Sequence, residues 1–204
     1  MALSILQRKK GGDRMKNDPS QREAVITAYL SALRARDKET SSHSLRVSRL
    51  ACEMAAELAW SEARCQKLKE GALMHDLGKL AISDAVLLKP GRLNDWQWQQ
   101  MRKHPAEGAR LIRQTPILND LAPMVLQHHE RWDGKGYPYG LKAAEICEEA
   151  RVLALADAYD AMICRRPYHA SMPLPEVLSQ IEQGRGNQFD PELTDCFLRL
   201  HHPF

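Results

Sequence analysis

Histidine and aspartate occupy helix boundaries and apolar helix faces in this chain. Five of the eight histidines fall near the start or end of an expected helix, namely His43, His75, His104, His128 and His129. A single histidine on an apolar face is usually a core residue whose ring is hydrogen-bonded. In this chain, however, aspartates accompany the five histidines: Asp76 follows His75, and Asp157 and Asp160 lie one turn apart in the apolar run ALADAYDAM. Buried carboxylates are costly unless paired or metal-bound, so the pattern predicts a shared metal site.

The ligand types indicate which chemistry such a site would perform. Imidazole and carboxylate without thiolate suit iron, manganese, zinc or nickel. An aspartate directly after a ligand histidine, as in His75-Asp76, can bridge two ions with its two oxygens. Two ions roughly 3.5–4 Å apart stabilise the attacking oxygen and the leaving oxygen of a phosphoryl displacement, and they lower the pKa of a bound water. Lys79 would donate to a phosphate oxygen, or it is simply a cation that closes a helix C-terminus.

Helical periodicity dominates the elements that must position these side chains. Helices are expected after Asp18-Pro19, over Ser42–Ala59, after Ser61, from Asn94 to Arg102, from Pro105 to Gln114, over Leu118–His129, over Cys147–Cys164, and after Pro173 and Pro191. No stretch combines sustained alternation with β-branched residues, so a sheet is not expected. The sequence therefore predicts a compact, single-domain, all-α bundle of roughly seven to nine helices.

Composition excludes several classes of protein. The chain has 204 residues, a net charge of +3 and 27% charged residues, so a bulk nucleic-acid binder is not expected. The beginning of the chain is locally basic, through Arg8, Lys9, Lys10, Arg14 and Lys16, and is read as a solvated tail or as a nucleic-acid or membrane arm.

Cysteine usage and hydropathy bear on the compartment. The five cysteines are dispersed and form no C-x-x-C pair, which argues against a disulfide framework and a thiolate metal site. No apolar run approaches the ~18–20 residues of a membrane span, and MALSILQRKK lacks the layout of a signal peptide. We expect a soluble, reduced, cytoplasmic protein with no membrane partner.

Five segments carry a family resemblance. In chain order, ETSSHSLRV, ALMHDLGKL, HHERWDGKGYP, ADAYDAM and RRPYHA resemble the HD-GYP group of the HD phosphohydrolase superfamily. HDLGK is moderately specific for the superfamily, whereas HHERWDGKGYP is highly specific for the HD-GYP group. The resemblance covers residues 20–200 and implies an HD-type helical domain over 20–204 after a lead-in over 1–19.

The resemblance implies the metal ligands. They are His43, His75, Asp76, His104, His128, His129 and Asp157. Some members hold a third ion with a glutamate one turn before the first histidine, where this chain has Glu39; Glu39 could equally be an exposed acid. Two or three divalent transition ions are expected, iron or manganese first, with zinc or nickel as alternatives. Asp76 and Lys79 are the expected catalytic residues.

The resemblance also implies a substrate, cyclic di-GMP, which the family cuts to linear pGpG and often on to GMP. The expected substrate-binding residues are Lys79, Gly136, Tyr137, Asp160, Arg166 and His169. His169 departs from the family's usual Arg or Lys, so it is either a weak phosphate contact or a side chain that faces water. A diguanylate cyclase (GGDEF) protein could dock on the GYP loop.

Two alternative functions remain open at this point. One is a non-catalytic module that binds a cyclic dinucleotide or docks on a cyclase; this would need a broken ligand set, and none of the seven ligands is missing. The other is a phosphodiesterase for another cyclic dinucleotide, such as cyclic GMP-AMP.

Overall fold

The computed structural model describes residues 18–164 and 172–201, and these residues are mainly helical. The α-helices are α1 (Pro19–Arg36), α2 (Lys38–Glu57), α3 (Glu62–Met74), α4 (Asp84–Leu87), α5 (Asp95–Met101), α6 (His104–Arg113), α7 (Ala122–Gln127), α8 (Glu148–Ile163), α9 (Leu174–Gln183) and α10 (Pro191–His201). Three 3-10 helices cover Leu77–Ala81, Pro116–Leu121 and Ala143–Glu145. The described part contains isolated β-bridges and no strand, so the all-α prediction is confirmed.

Eight of the described α-helices have seven or more residues, within the expected number. None of the described helices is long and apolar enough to cross a bilayer. The boundary expected at residues 19–20 stays a prediction, because residues 1–17 lie outside the described part.

Three helix starts lie where their capping residues predict them. The Asp18 side chain accepts from Ser20 N, the Ser61 side chain accepts from Arg64 N, and Asn94 forms a capping box. These caps satisfy backbone N–H groups that have no partner inside the helix.

Two helix predictions were wrong, one in its starting residue and one in its continuity. Helix α2 begins at Lys38 rather than Ser42, because the Asp37 carboxylate accepts from the backbone N–H groups of Glu39 and Thr40. The single helix expected over residues 118–129 is divided into a 3-10 helix and α7. Pro123 at the start of α7 explains the division, since proline has no N–H to continue the ladder of the preceding turn.

Helix α2 lies at the centre of the fold, where it packs against α1, α3 and α8. Its inward face carries Val47, Ala51 and Met54, all fully buried. His43 precedes Val47 by four residues and shares this face, so it points into the bundle as predicted. The hydrophobic contacts that stabilise the bundle therefore also hold His43 inside it.

Gly78 allows the turn after His75-Asp76 to contact the beginning of α6. A Cβ atom at residue 78 would overlap with the carbonyl oxygen of His104 and lie 2.5 Å from Gly108 N. Both obstacles are backbone atoms, which cannot move without displacing α6. This close approach brings Asp76 and His104 to the same end of the bundle.

We expect Gly78→Ala to lower the melting temperature by about 5 °C or more, because overpacking against a rigid backbone costs about 1–3 kcal/mol. Gly71→Ala is the matched control. Its Cβ would overlap with Sδ and Cε of Met124, which are the far end of a flexible side chain that can move aside, and alanine favours the helix by ~1 kcal/mol. Its melting temperature should stay within about 3 °C of wild type. Thermal unfolding of both variants tests this, and equal losses would contradict it.

Candidate metal centre

The described residues contain three overlapping groups of side chains that could hold a metal ion. Within each group the ligand atoms all lie within 4.8 Å of one another. The groups are His43, His75 and Asp157; His75, Asp76 and His128; and His104, His128 and His129. All seven ligands implied by the family resemblance therefore meet at one place, although they come from widely separated parts of the chain.

Three of the histidines are oriented by backbone carbonyls at helix ends. In each, Nδ1 contacts the backbone carbonyl three residues earlier, a carbonyl at a helix end that lacks an intrahelical partner. The pairs are His75 with Ala72 O (2.7 Å), His104 with Met101 O (2.9 Å) and His128 with Val125 O (2.7 Å). Because a carbonyl only accepts, Nδ1 carries the proton and the Nε2 lone pair is available at the centre.

The Nε2 atoms of His104 and His128 lie 3.2 Å apart, and both residues are buried. Asp76 Oδ1 lies 3.3 Å from the same His104 atom. Burial lowers the pKa of His104 to about 3, and burial also lowers the pKa of His128 well below its ordinary value. Neutral imidazoles with lone pairs turned toward each other and toward a carboxylate repel, whereas a cation between them is attracted by all three. The donor set therefore fits divalent metal ions.

Asp76 is placed between two imidazoles. Its Oδ2 lies 3.4 Å from His75 Nε2, while its Oδ1 faces His104. Lys79 donates from Nζ to Oδ2 at 2.7 Å. Burial favours the neutral acid, but the ammonium of Lys79 outweighs it and holds the pKa of Asp76 well below its usual range. Asp76 is thus an ionised carboxylate with one oxygen toward each imidazole.

His43 lies between two carboxylates of α8. Its Nε2 is 2.9 Å from Asp157 Oδ1, and its Nδ1 is 2.6 Å from Asp160 Oδ2. Burial lowers the pKa of His43, but the hydrogen bonds with Asp157 and Asp160 more than offset this and raise it to about 9. His129 lies on the other side of Asp157, with Nδ1 4.0 Å from Oδ2.

Asp160, expected among the substrate-binding residues, is only 4% exposed. Arg46 donates from Nε to Oδ1 at 2.6 Å and from Nη2 to Oδ2 at 3.0 Å, so Asp160 contacts both Arg46 and His43. Burial raises the pKa of Asp160, and these hydrogen bonds outweigh that effect and lower it. The sequence analysis missed Arg46, because its partner lies 114 residues away and no local spacing links them.

The GYP segment forms one wall of the site. Tyr137 N donates to His129 O at 3.1 Å, and the two rings lie 4.8 Å apart with planes inclined by 31°. Gly136 permits this approach, since a Cβ there would lie 2.5 Å from the Cα of Glu130. A cavity of about 450 Å³ opens beside the ligands. It is lined by Arg102, His128, His129, Glu130, Arg131, Lys135, Gly136, Tyr137, Ala154, Asp157, Ala158 and Gln188.

Glu130 holds the GYP segment closed and was also missed by the sequence analysis. Its buried carboxylate accepts from Tyr139 N at 2.7 Å and from Leu141 N at 3.1 Å. Two backbone donors on one carboxylate tie the end of the loop to the residue that follows His129. The sequence did contain an indication of this role, because in HHERW a glutamate directly follows the histidine pair.

Three predicted site residues are not located at the site among the described residues. Glu39 is exposed in the first turn of α2 and belongs to none of the three groups found among the described residues. Arg166 and His169 lie outside the described residues. Their expected roles stay predictions.

Glu130→Ala would leave the Tyr139 and Leu141 amides without their acceptor, so we expect faster amide hydrogen exchange across residues 136–141. Glu107→Ala, which removes a surface partner of Arg110, is the control. Exchange measured by mass spectrometry should separate the two variants. Unchanged protection of this segment in Glu130→Ala would show that the loop does not depend on this carboxylate.

Comparison with known proteins identifies the family. The HD domain family matches residues 27–193. A cyclic di-GMP phosphodiesterase from Thermotoga maritima is 42% identical over 167 residues, covering 81% of this chain and 45% of the relative. A 3'3'-cGAMP-specific phosphodiesterase 3 from Vibrio cholerae is 36% identical over 183 residues, covering 90% of this chain and 39% of the relative. The chain thus spans less than half the length of these two relatives.

Solved structures share the fold. The protein Bd1817 from Bdellovibrio bacteriovorus, an HDG"Y"P protein, superposes with a TM-score of 0.67 at 22% identity, covering 88% of this chain and 62% of that one. A cyclic GMP-AMP specific phosphodiesterase of V. cholerae gives a TM-score of 0.59 at 29% identity, covering 92% and 42%. The chain therefore belongs to the HD domain family, in its HD-GYP group.

Proposed function

We propose that this chain is a metal-dependent phosphodiesterase that hydrolyses cyclic di-GMP to linear pGpG, with GMP as the alternative final product. The observation that carries the proposal is the buried cluster of opposed imidazole and carboxylate lone pairs beside an open cavity. A scaffold with no catalytic role would have no reason to bury such a mutually repulsive set of acceptors. Cyclic di-GMP phosphodiesterases among the relatives support the same activity.

We assign the metal ligands as His43, His75, Asp76, His104, His128, His129 and Asp157. Each imidazole offers one lone pair, and the seven side chains together supply more donors than a single transition ion accommodates, which favours at least two ions. We propose iron or manganese, with zinc or nickel as alternatives, and a third ion only if Glu39 turns toward His43. Divalent ions bound there supply positive charge to the phosphate and lower the pKa of water.

Asp76 and Lys79 are the catalytic residues in this proposal. The Lys79 ammonium keeps Asp76 ionised, so both carboxylate oxygens are available to metal ions. Lys79 is 19% exposed, and its remaining N–H donors can reach a phosphate oxygen. Hydrolysis adds one water across a phosphodiester bond and opens the ring.

Tyr137 and Gly136 would line the substrate side of the cavity. The Tyr137 ring, which packs beside His129, offers an aromatic contact to a base that enters the cavity, and Gly136 keeps the backbone close to the site. Cyclic GMP-AMP is the second candidate substrate, because 3'3'-cGAMP-specific phosphodiesterases from V. cholerae match 90% and 85% of this chain.

We further propose that Asp160 positions His43 and does not contact the substrate. Its carboxylate accepts from His43 Nδ1 and from Arg46. This bond leaves His43 Nε2 facing Asp157 and the metal ligands. Partners of this type fix the ring of a ligand histidine and raise its basicity. Docking of a diguanylate cyclase stays a prediction, for which the exposed Tyr139 on the GYP loop would be available.

Metal-loaded wild-type protein should convert cyclic di-GMP to pGpG, and Asp76→Ala should abolish turnover and lower the metal content. Chromatography of the products, with elemental analysis of each sample, measures both. Cyclic GMP-AMP run in parallel gives the preferred substrate from the ratio of kcat/KM values. Binding of cyclic di-GMP without product formation by the metal-loaded protein would favour a non-catalytic module.

Asp160→Ala and Arg46→Gln should weaken metal binding by roughly 10- to 100-fold, as loss of a partner to a ligand histidine typically does. Arg49→Gln is the control, since Arg49 is exposed on the same helix. Competition with a chelator measures metal affinity without recourse to activity. Unchanged metal affinity combined with a raised KM in Asp160→Ala would instead place Asp160 on the substrate.

A further inference from the structure

Three cations line the cavity beside the candidate metal centre: Arg102, Arg131 and Lys135. Arg131 is already neutralised, because its Nε and Nη2 donate to the two oxygens of Asp133 at 3.1 and 2.9 Å. Arg102 has no carboxylate within ion-pair distance among the residues that the structure describes. Its charge is therefore available to an anion that enters the cavity.

The backbone of Arg102 is held rigidly next to the metal ligands. Arg102 N donates to Trp98 O at 2.9 Å, which ends α5. The preceding residue, Met101, accepts the Nδ1–H of His104 at 2.9 Å. Arg102 thus lies two residues before the candidate ligand His104. The hydrogen bond between His104 and Met101 fixes the backbone next to Arg102 relative to that ligand.

The side chain of Arg102 is directed at Tyr137. The guanidinium carbon lies 5.2 Å from the centre of the Tyr137 ring, and that ring lies 4.8 Å from the ring of His129. A cation over an aromatic face is attracted by the ring and gives up little of its hydrogen-bonding capacity. The tyrosine therefore orients the guanidinium while its N–H groups stay free for a ligand.

We propose that Arg102 binds a phosphate of the cyclic dinucleotide at the wall of the cavity, the phosphate that is not being hydrolysed. A cyclic dinucleotide carries two phosphates, and the metal ligands account for only one of them at a time. The planar guanidinium matches two phosphate oxygens in bidentate fashion. This inference rests on the proposed function and adds a subsite to it.

Kinetics of Arg102→Gln test the assignment, with Arg102→Lys as the conservative variant and Lys103→Gln as the matched control. Lys103 is the next residue and is exposed. It contacts Gln100 and does not line the cavity. Lys103→Gln removes one positive charge, as Arg102→Gln does, but away from the cavity. We expect Arg102→Gln to raise KM about fivefold for cyclic di-GMP and for cyclic GMP-AMP alike, with kcat within about twofold. Arg102→Lys should be intermediate, and Lys103→Gln should match wild type. Metal content and melting temperature should not change.

Three results would overturn the assignment. An unchanged KM in Arg102→Gln would show that the side chain does not reach the substrate. An equal rise in Lys103→Gln would show that only long-range charge matters. A loss confined to one of the two dinucleotides would place Arg102 on a base instead of a phosphate. If wild type hydrolyses neither dinucleotide, the proposed function itself fails, whereas a turnover-competent wild type with an unaffected Arg102→Gln refutes this inference alone.

Discussion

The hydrogen bonds from histidine Nδ1 atoms to helix-end carbonyls are the interaction on which the site depends. At His75, His104 and His128 a carbonyl without an intrahelical partner accepts the ring proton, so the Nε2 lone pair must face the centre. Each bond satisfies a helix end and fixes a tautomer at once. The cost is a buried group of mutually repelling acceptors, which cations stabilise.

Tight backbone contacts then bring the helix ends together. Gly78 lets the turn after His75-Asp76 lie against the first turn of α6, where His104 is located. Glu130 ties the GYP segment to the end of α7 and so positions Tyr137 on His129. Because these contacts involve backbone atoms, they tolerate little adjustment, and the geometry of the ligands is set by the fold rather than by flexible side chains.

Cationic side chains next to the ligands act on them directly or through a carboxylate. Lys79 acts on Asp76, and Arg46 acts on His43 through Asp160. The same residue type has different roles according to its partner: Arg131 is engaged by Asp133, whereas the guanidinium of Arg102 lies over an aromatic ring. Arg131 therefore supports the loop that carries Asp133, whereas the guanidinium of Arg102 is available to a ligand.

The helical class and the caps at Asp18, Ser61 and Asn94 were predictable from local sequence patterns, and the seven candidate ligands were implied by the family resemblance. Periodicity and capping act within one turn of a helix, so they can be read locally. The division of the helix at Pro123 was also encoded locally but was not recognised.

The partners of the site residues depend on tertiary contacts. Asp160 contacts His43 and Arg46 across 117 and 114 residues, and Arg102 reaches Tyr137 from the end of α5. Such pairs depend on how helices pack and on which backbones approach closely at Gly78 and Gly136. Spacing along the chain carries no record of these distances, because packing brings together residues that are far apart in sequence.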